Sequence, residues 1–211
     1  MQLAILTEQE DLISQIKGDP VIASIHLRLA SSLDPSLTYH TKEHSDDVTE
    51  MAIALGATDQ LDEHSLLLLG IAAAYHDAGF IEHRIDHETI SASLAERAME
   101  SDGRFTENDI SLTRQMILDT KLQSIGPSHK INTRLSPWLI DADLANLGRS
   151  DFLVQTELLA EELNIPMDLM LHQSLALMKR HRWHSPAGQV SLGKQKELNK
   201  AKLLTMLKNE S

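Results

Sequence analysis

Residues 66–80, LLLLGIAAAYHDAGF, decide the fold of this chain. From Leu66 to Tyr75 no side chain is charged, so a helix over this segment has no polar face and is buried on all sides. The run ends in His76 and Asp77, two side chains that can bind metal. We expect Gly79 to release the helix end, so that both side chains can turn towards one ion.

The composition favours an all-α protein. Of the 211 residues 42% are hydrophobic but only 3% are aromatic, so Leu, Ala, Ile and Met must fill the core. Strands prefer aromatic and β-branched residues, whereas Leu, Ala and Met favour helices. We predict one domain over residues 1–211, a compact multi-helix bundle around a metal site. Its core spans about 36–163, and further helices at 1–35 and 164–211 pack on this core.

Charge and cysteine content exclude several classes of function. The formal net charge is −12, which argues against a general nucleic-acid surface. The chain has no cysteine, so disulfides, a thiolate nucleophile and zinc–thiolate sites are excluded. No apolar run approaches the roughly 18 residues of a membrane span, and residues 1–5 do not resemble a signal peptide. We expect a cytoplasmic protein without nucleic-acid or membrane partners, for which a homo-oligomer is compatible with the sequence.

Two histidines upstream are spaced to contribute to the same site. His40 and His44, in the segment YHTKEH at 39–44, are four residues apart. They point to the same side if the helix already runs through this turn. The alternative is a pair of surface histidines near a helix start.

Two aspartates downstream, Asp141 and Asp143, offer a carboxylate to this site. Because they are two residues apart, they face different sides of a helix, and only one should reach the ion. One histidine, the His-Asp doublet and one distant aspartate make four nitrogen or oxygen ligands. Such a set suits a divalent ion, and Mn, Fe, Zn, Ni and Mg all accept it.

These segments, in this order, resemble the HD superfamily of metal-dependent phosphohydrolases over roughly residues 36–163. YHxxxH at 39–44 is similar to the first histidine motif of cyclic-nucleotide phosphodiesterases. AYHDxG at 74–79 is similar to the helix end that carries the HD doublet in this superfamily, and DADLANLG at 141–148 is similar to a segment of small bacterial HD proteins. The resemblance implies one or two divalent ions per chain, with four ligands: His44, His76, Asp77 and Asp143. It leaves Asp141 as a residue that supports a ligand or caps a helix.

The resemblance also implies a reaction. A metal-activated water, oriented by Asp77, would hydrolyse a phosphomonoester or phosphodiester of a small, nucleotide-like substrate. His40 would protonate the leaving oxygen. Arg149, Tyr39 and Lys42 are the candidates for contact with the substrate, since Arg forks well onto phosphate oxygens. The alternative for Arg149 is a surface residue that flanks a helix.

The candidate ligands of a second ion resemble those of two-metal HD enzymes less closely. His87 lies in a segment that resembles the source of a second-metal ligand in two-metal HD enzymes, with Glu88 in place of Pro and Ser91 in place of Gly. Asp119 stands where those relatives have a further histidine. His83 and Asp141 complete the candidates for binding a second ion or supporting the ligands. The alternatives for His87 are a phosphate contact, a hydrogen bond to a ligand, or a helix start without a role.

Two other functions stay open. Some HD-fold proteins are mixed-valent di-iron oxygenases that need about six His or Asp ligands, and His87 and Asp119 could supply the extra ones. A non-catalytic module that binds metal or nucleotide is the third possibility. Two further segments are basic: the loop 123–137, which contains His129, and the run 179–184. They either contact an anionic substrate or are exposed to solvent.

Overall fold

The computed structural model describes the backbone of residues 2–209 and the side chains of residues 9–208. The regular secondary structure of this part of the chain is helical, without strands, which confirms the predicted all-α class. Two 3₁₀ segments cover Ala78–Ile81 and Ala145–Gly148, and the ten α-helices are α1 (Gln2–Lys17), α2 (Pro20–Ser32), α3 (Lys42–Thr58), α4 (Glu63–Tyr75), α5 (His87–Asp102), α6 (Glu107–Asp119), α7 (Ser136–Asp143), α8 (Phe152–Leu163), α9 (Met167–Arg180) and α10 (Pro186–Asn209). None of the described helices combines the length and apolarity needed to cross a membrane.

Helix α4 lies at the centre of the bundle, as its sequence predicts. It packs against α3, α6, α2 and α5 and, more lightly, against α1 and α7. Its residues from Leu68 to Tyr75 are all buried, and Asp62 caps its start by accepting a hydrogen bond from the amide of Ser65. A helix that is apolar on every side is stable only where other helices cover it, so the start of the HD doublet is held inside the bundle.

Helix α3 begins later than the spacing of its histidines suggests. Thr41 is its N-cap and accepts a hydrogen bond from the amide of His44, so the helix starts at Lys42. His40 therefore precedes the helix, and the condition under which His40 and His44 share a helical face is not met. Serine, threonine and aspartate are favoured at this position because their side chains satisfy free amides of the first turn.

The C-terminal helices form a second apolar cluster beside the main core. It is built from residues of the Ala145–Gly148 turn, α8, α9 and α10, with Trp183 and Leu203 among the buried members. Helix α9 ends at Arg180, and α10 begins at Pro186. Proline is favourable in the first turn of a helix, and Ser185 Oγ accepts the amide of Gly188 there.

Candidate metal centre

Three helix ends converge on one buried point. His44 lies in the first turn of α3, His76 and Asp77 follow α4, and Asp143 is the last residue of α7. His76 Nε2 lies 3.1 Å from Asp77 Oδ2 and 3.4 Å from Asp143 Oδ1. His44 Nε2 lies 3.6 Å from each of the same two oxygens. Two nitrogens and two carboxylate oxygens therefore face one another across a space the size of a single ion.

The donor set fits a divalent metal. The Nε2 atoms of His44 and His76 are buried and have no hydrogen-bond partner among the described residues. His76 Nδ1 lies 2.7 Å from the carbonyl of Ala73 and donates its hydrogen bond there, so that the neutral ring carries a lone pair on Nε2. Two ligands about 2.1 Å from one ion lie roughly 3.0–3.4 Å apart, close to the distances observed. The cluster of His44, His76 and Asp77 could therefore hold a metal ion.

The charges of the cluster are strongly coupled. Burial alone would raise the pKa of Asp77, but the charge of His76 outweighs it and holds the pKa well below its usual range. Burial would likewise raise the pKa of Asp143, but the adjacent imidazoles of His44 and His76 outweigh burial and lower it. Burial would lower the pKa of His76, yet the two carboxylates raise it well above its usual value. Two buried carboxylates that stay ionised attract a cation, and a divalent ion can replace the protons on the histidines.

Gly79 has a different role from the predicted one. The chain leaves the helical conformation at Asp77, with φ −107° and ψ 7°, so the turn of the HD doublet occurs two residues before the glycine. Gly79 is not among the residues with positive φ. A Cβ at this position would collide with the backbone of His87. The amide of Gly79 donates a hydrogen bond to Ser91 Oγ at 2.8 Å. The glycine thus allows the start of α5 to approach the doublet.

Gly79→Ala is expected to destabilise the protein by about 1–3 kcal/mol, because backbone and not a flexible side chain opposes the added methyl group. Thermal unfolding measures the effect. Gly193→Ala in α10 is the matched control, since a Cβ there meets only Trp183 at 3.9 Å and alanine favours a helix. Equal unfolding temperatures for Gly79→Ala and wild type would contradict the close approach.

The approach of α5 brings His87 to the second oxygen of Asp77. His87 Nε2 lies 3.3 Å from Asp77 Oδ1, whereas His44 and His76 face Oδ2. Asp77 therefore stands between two sets of histidines, as a carboxylate bridging two ions would. Glu88, which the sequence did not single out, is buried, and its Oε1 lies 3.9 Å from His87 Nε2.

Asp119 and His83 are not brought to this position. Both oxygens of Asp119 are engaged, by Asn132, Gln115 and Ser136, in a buried network that joins α6 to α7. No histidine of the metal centre lies within ion-pair distance of Asp119 in the described part of the chain. His83 is exposed, and its Nδ1 accepts a hydrogen bond from the amide of Ile85.

The two aspartates of α7 have separate roles. Asp143 faces the two histidines, whereas Asp141 accepts hydrogen bonds from the amides of His184 and Ser185 and from Ser185 Oγ. Asp141 thus anchors the connection between α9 and α10. This arrangement agrees with the expectation that only one of the two carboxylates reaches the ion.

His40 is held beside the centre by a residue that sequence reasoning missed. His40 Nδ1 lies 2.6 Å from Glu162 Oε1, and Glu162 Oε2 accepts the amides of Tyr39 and His40 at 2.9 Å each. The His40 ring stacks on Phe80 at 4.3 Å and lies 6.0 Å from the ring of His44. Because Glu162 occupies Nδ1, Nε2 is the nitrogen of His40 left for chemistry.

Glu162 is poised as an anion. Its side chain is 1% exposed, and burial alone would raise its pKa. The hydrogen bond of His40 and the two backbone amides outweigh burial and lower the pKa to about 2. Arg84 Nη2 adds an ion pair at 2.9 Å. Glu162 belongs to an ordinary amphipathic helix 122 residues from His40, and no local pattern marks it.

The depressed pKa of Glu162 gives a pH-dependent contribution to stability. A carboxyl with a lowered pKa stabilises the fold above its unfolded pKa, and this contribution is lost as the pH falls towards the folded value. At pH 7 Glu162→Gln is expected to be less stable than wild type by about 2 kcal/mol. The difference should shrink as the pH falls below about 4.5.

Urea unfolding of both proteins between pH 7 and pH 3 measures this difference. Glu161→Gln, the exposed neighbour on the same helix, is the control and should match wild type throughout. A difference between Glu162→Gln and wild type that stays constant with pH would contradict the ionised state of Glu162.

The predicted substrate contacts are engaged within the protein. Arg149 forms ion pairs with Asp47 at 2.6 Å and with Asp151 at 2.9 Å, so its guanidinium is already held by carboxylates. Lys42 Nζ lies 3.8 Å from Asp46. Tyr39 is buried with its ring 4.7 Å from that of His44, and burial, with the nearby charge of Asp143, raises its pKa. Tyr39 therefore packs against a candidate ligand.

Comparison of the chain with protein-family models, with curated proteins and with solved structures found no match. Its function has to be inferred from the geometry of this centre.

Proposed function

We propose that the protein is a metal-dependent phosphohydrolase that cleaves a phosphomonoester or phosphodiester of a small, nucleotide-like substrate. The observation that carries the proposal is the convergence of His44, His76, Asp77 and Asp143, with the half-buried and oriented ring of His40 beside them. The sequence resemblance to the HD superfamily supports the same reaction class. The four converging residues would hold the ion.

When bound, the ion would lower the pKa of a coordinated water and polarise a phosphoryl oxygen. Asp77 orients the attacking water, because one of its oxygens faces His44 and His76 and the other faces His87. The buried surroundings of the carboxylates keep bulk water out and strengthen their electrostatic interactions.

His40 supplies the proton for the leaving group. A water oxygen forms the new bond to phosphorus and releases its proton to solvent, the ester P–O bond breaks, and the leaving oxygen takes the proton of His40 Nε2. Glu162 accepts a hydrogen bond from Nδ1–H and stabilises the charged imidazole before transfer. Phe80 and Glu162 together restrict the ring to one orientation.

Elemental analysis and a hydrolysis assay on the purified protein test the proposal. The expected result is one or two transition-metal ions per chain and metal-dependent release of phosphate or nucleoside from a panel of nucleotides and nitrophenyl phosphates. Two ions would favour a role for His87 and Glu88. Bound iron with oxygen consumption, or tight nucleotide binding without turnover, would replace the hydrolase by the oxygenase or by a binding module.

A further inference from the structure

A second group of histidines lies outside the metal centre. His129 comes from the loop between α6 and α7, and His181 and His184 come from the connection between α9 and α10. We call these three residues the histidine pocket. His129 and His181 are 4% and 3% exposed. Four ring nitrogens, both of His129 and Nε2 of each of the others, are buried without a hydrogen-bond partner among the described residues.

The histidine pocket adjoins the Asp143 side of the metal centre. Asp141, two residues before Asp143, accepts the amide of His184 at 2.9 Å. The rings of His181 and His184 are 6.4 Å apart. Burial lowers the pKa of His129, and the charge of Asp143 counteracts this effect, as expected for neighbouring groups. Arg180 donates a hydrogen bond to the carbonyl of Gln123 and so ties the loop of His129 to the end of α9.

Lys196 determines which nitrogen of His181 carries the proton. Its ammonium is buried and lies 2.8 Å from His181 Nδ1 and 2.7 Å from the carbonyl of His181. An ammonium can only donate, so Nδ1 accepts and the proton of the neutral imidazole sits on Nε2. Burial, with the charge of Lys196, lowers the pKa of His181 to about 3, so the ring stays neutral.

This arrangement favours an anion over a second metal ion. Nε2–H of His181 is a donor, and a metal ligand would need a lone pair at that atom. Lys196 has no carboxylate within ion-pair distance among the side chains that the structure describes, although buried charges are normally paired. A surface pocket of about 530 Å³ opens beside His181, and Arg182, Lys196 and Glu197 are among its other lining residues.

We propose that the histidine pocket binds an oxyanion of the phosphate type, with His181 Nε2–H as a donor and Lys196 as the residue that positions this ring. His184, whose ring lies 6.4 Å from that of His181, and His129, whose charge reaches His181, supply further buried ring nitrogens for an oxyanion with several oxygens. The identity of the oxyanion as a phosphoryl group of the substrate, or as the phosphate product, rests on the proposed function. The existence of the anion site does not.

Titration with inorganic phosphate, followed by imidazole ¹H–¹⁵N NMR of wild-type protein, tests the site directly. The expected result is an Nε2–H tautomer of His181 and a saturable shift of the His181 and His184 signals. A proton on Nδ1 of His181, or His181 signals that do not respond to phosphate, would overturn the proposal. In the second case ordered water alone would satisfy the nitrogens.

Calorimetric titration of variants gives a second, independent measurement. Lys196→Met and His181→Gln are expected to bind phosphate at least about tenfold more weakly than wild type, at unchanged metal content. Lys200, which is partly exposed and pairs with Glu197, and the exposed His172 provide the controls Lys200→Met and His172→Gln, which should bind as wild type does. Equal affinity in Lys196→Met and Lys200→Met would refute the role of Lys196.

These titrations involve no turnover. A protein that binds phosphate through His181 but hydrolyses no ester would retain this site and lose the proposed function. If hydrolysis occurs, a raised KM in Lys196→Met would identify the anion as part of the substrate. An unchanged KM with weaker inhibition by phosphate would identify it as the product.

Discussion

Asp77→Ala is expected to remove the bound metal ion and to reduce hydrolysis to the uncatalysed background. One oxygen of Asp77 faces His44 and His76, and the other lies 3.3 Å from His87. No other candidate ligand contacts all three histidines within 4 Å in the described structure. Its loss should exceed the roughly 10–100-fold fall in affinity that follows loss of an outer partner of a ligand. Elemental analysis and the phosphate-release assay, made side by side, measure both effects.

Asp47→Ala is the matched control for this experiment. Asp47 lies on α3 three residues after His44 and pairs with Arg149. Its removal changes the net charge by the same amount as Asp77→Ala does, without removing a residue of the metal centre. It should retain the metal of wild type. Full metal content in Asp77→Ala, after equal exposure to Mn, Fe and Zn, would rule out the ligand set named here.

His40→Ala is expected to keep the metal and to lose a factor of about 10²–10⁴ in kcat. The loss would follow from removal of the proposed proton donor, since Glu162 holds His40 by Nδ1 and leaves Nε2 for the leaving oxygen. The size of the loss should depend on the leaving group. A nitrophenolate needs little protonation as it departs, so a nitrophenyl ester should be affected far less than a nucleotide or alkyl ester.

Comparison of the two substrate types separates proton donation from a structural effect. A general collapse of the site would lower both rates equally, and that result, or undiminished activity on the alkyl ester, would exclude His40 from the reaction. His172→Ala, which removes an exposed histidine from α9, should behave as wild type on both substrates. Glu162→Gln should show the same dependence on leaving group in weaker form.

The central helix and the HD doublet were predictable from the sequence because they depend on local properties. A run without a charged face can be stable only in the interior, and its neighbours cannot change that requirement. The caps of α4 and α6 depend on equally local contacts, since a capping side chain and its amides lie within one turn. The resemblance at 39–44, 74–79 and 141–148 also rested on short segments.

Sequence spacing did not indicate the tertiary partners of two residues near the site, Gly79 and Asp119. Gly79 was predicted to release the end of α4. A glycine is needed there because a side chain would collide with the backbone of His87, which belongs to another helix. Asp119 occupies the position of an expected ligand, but Asn132 and Ser136 engage its oxygens across the following loop. In both cases the deciding atoms come from a different part of the chain, and helical periodicity contains no information about them.

The sequence by itself determined the helical class, the buried position of α4 and the residue types able to bind a divalent ion. Only the tertiary structure decided which groups meet: Asp143 and not Asp141 at the histidines, Glu162 behind His40, and Lys196 behind His181. The physical reason is that the face a residue presents follows from local helix geometry. Its partner depends on how helices far apart in the chain pack against one another.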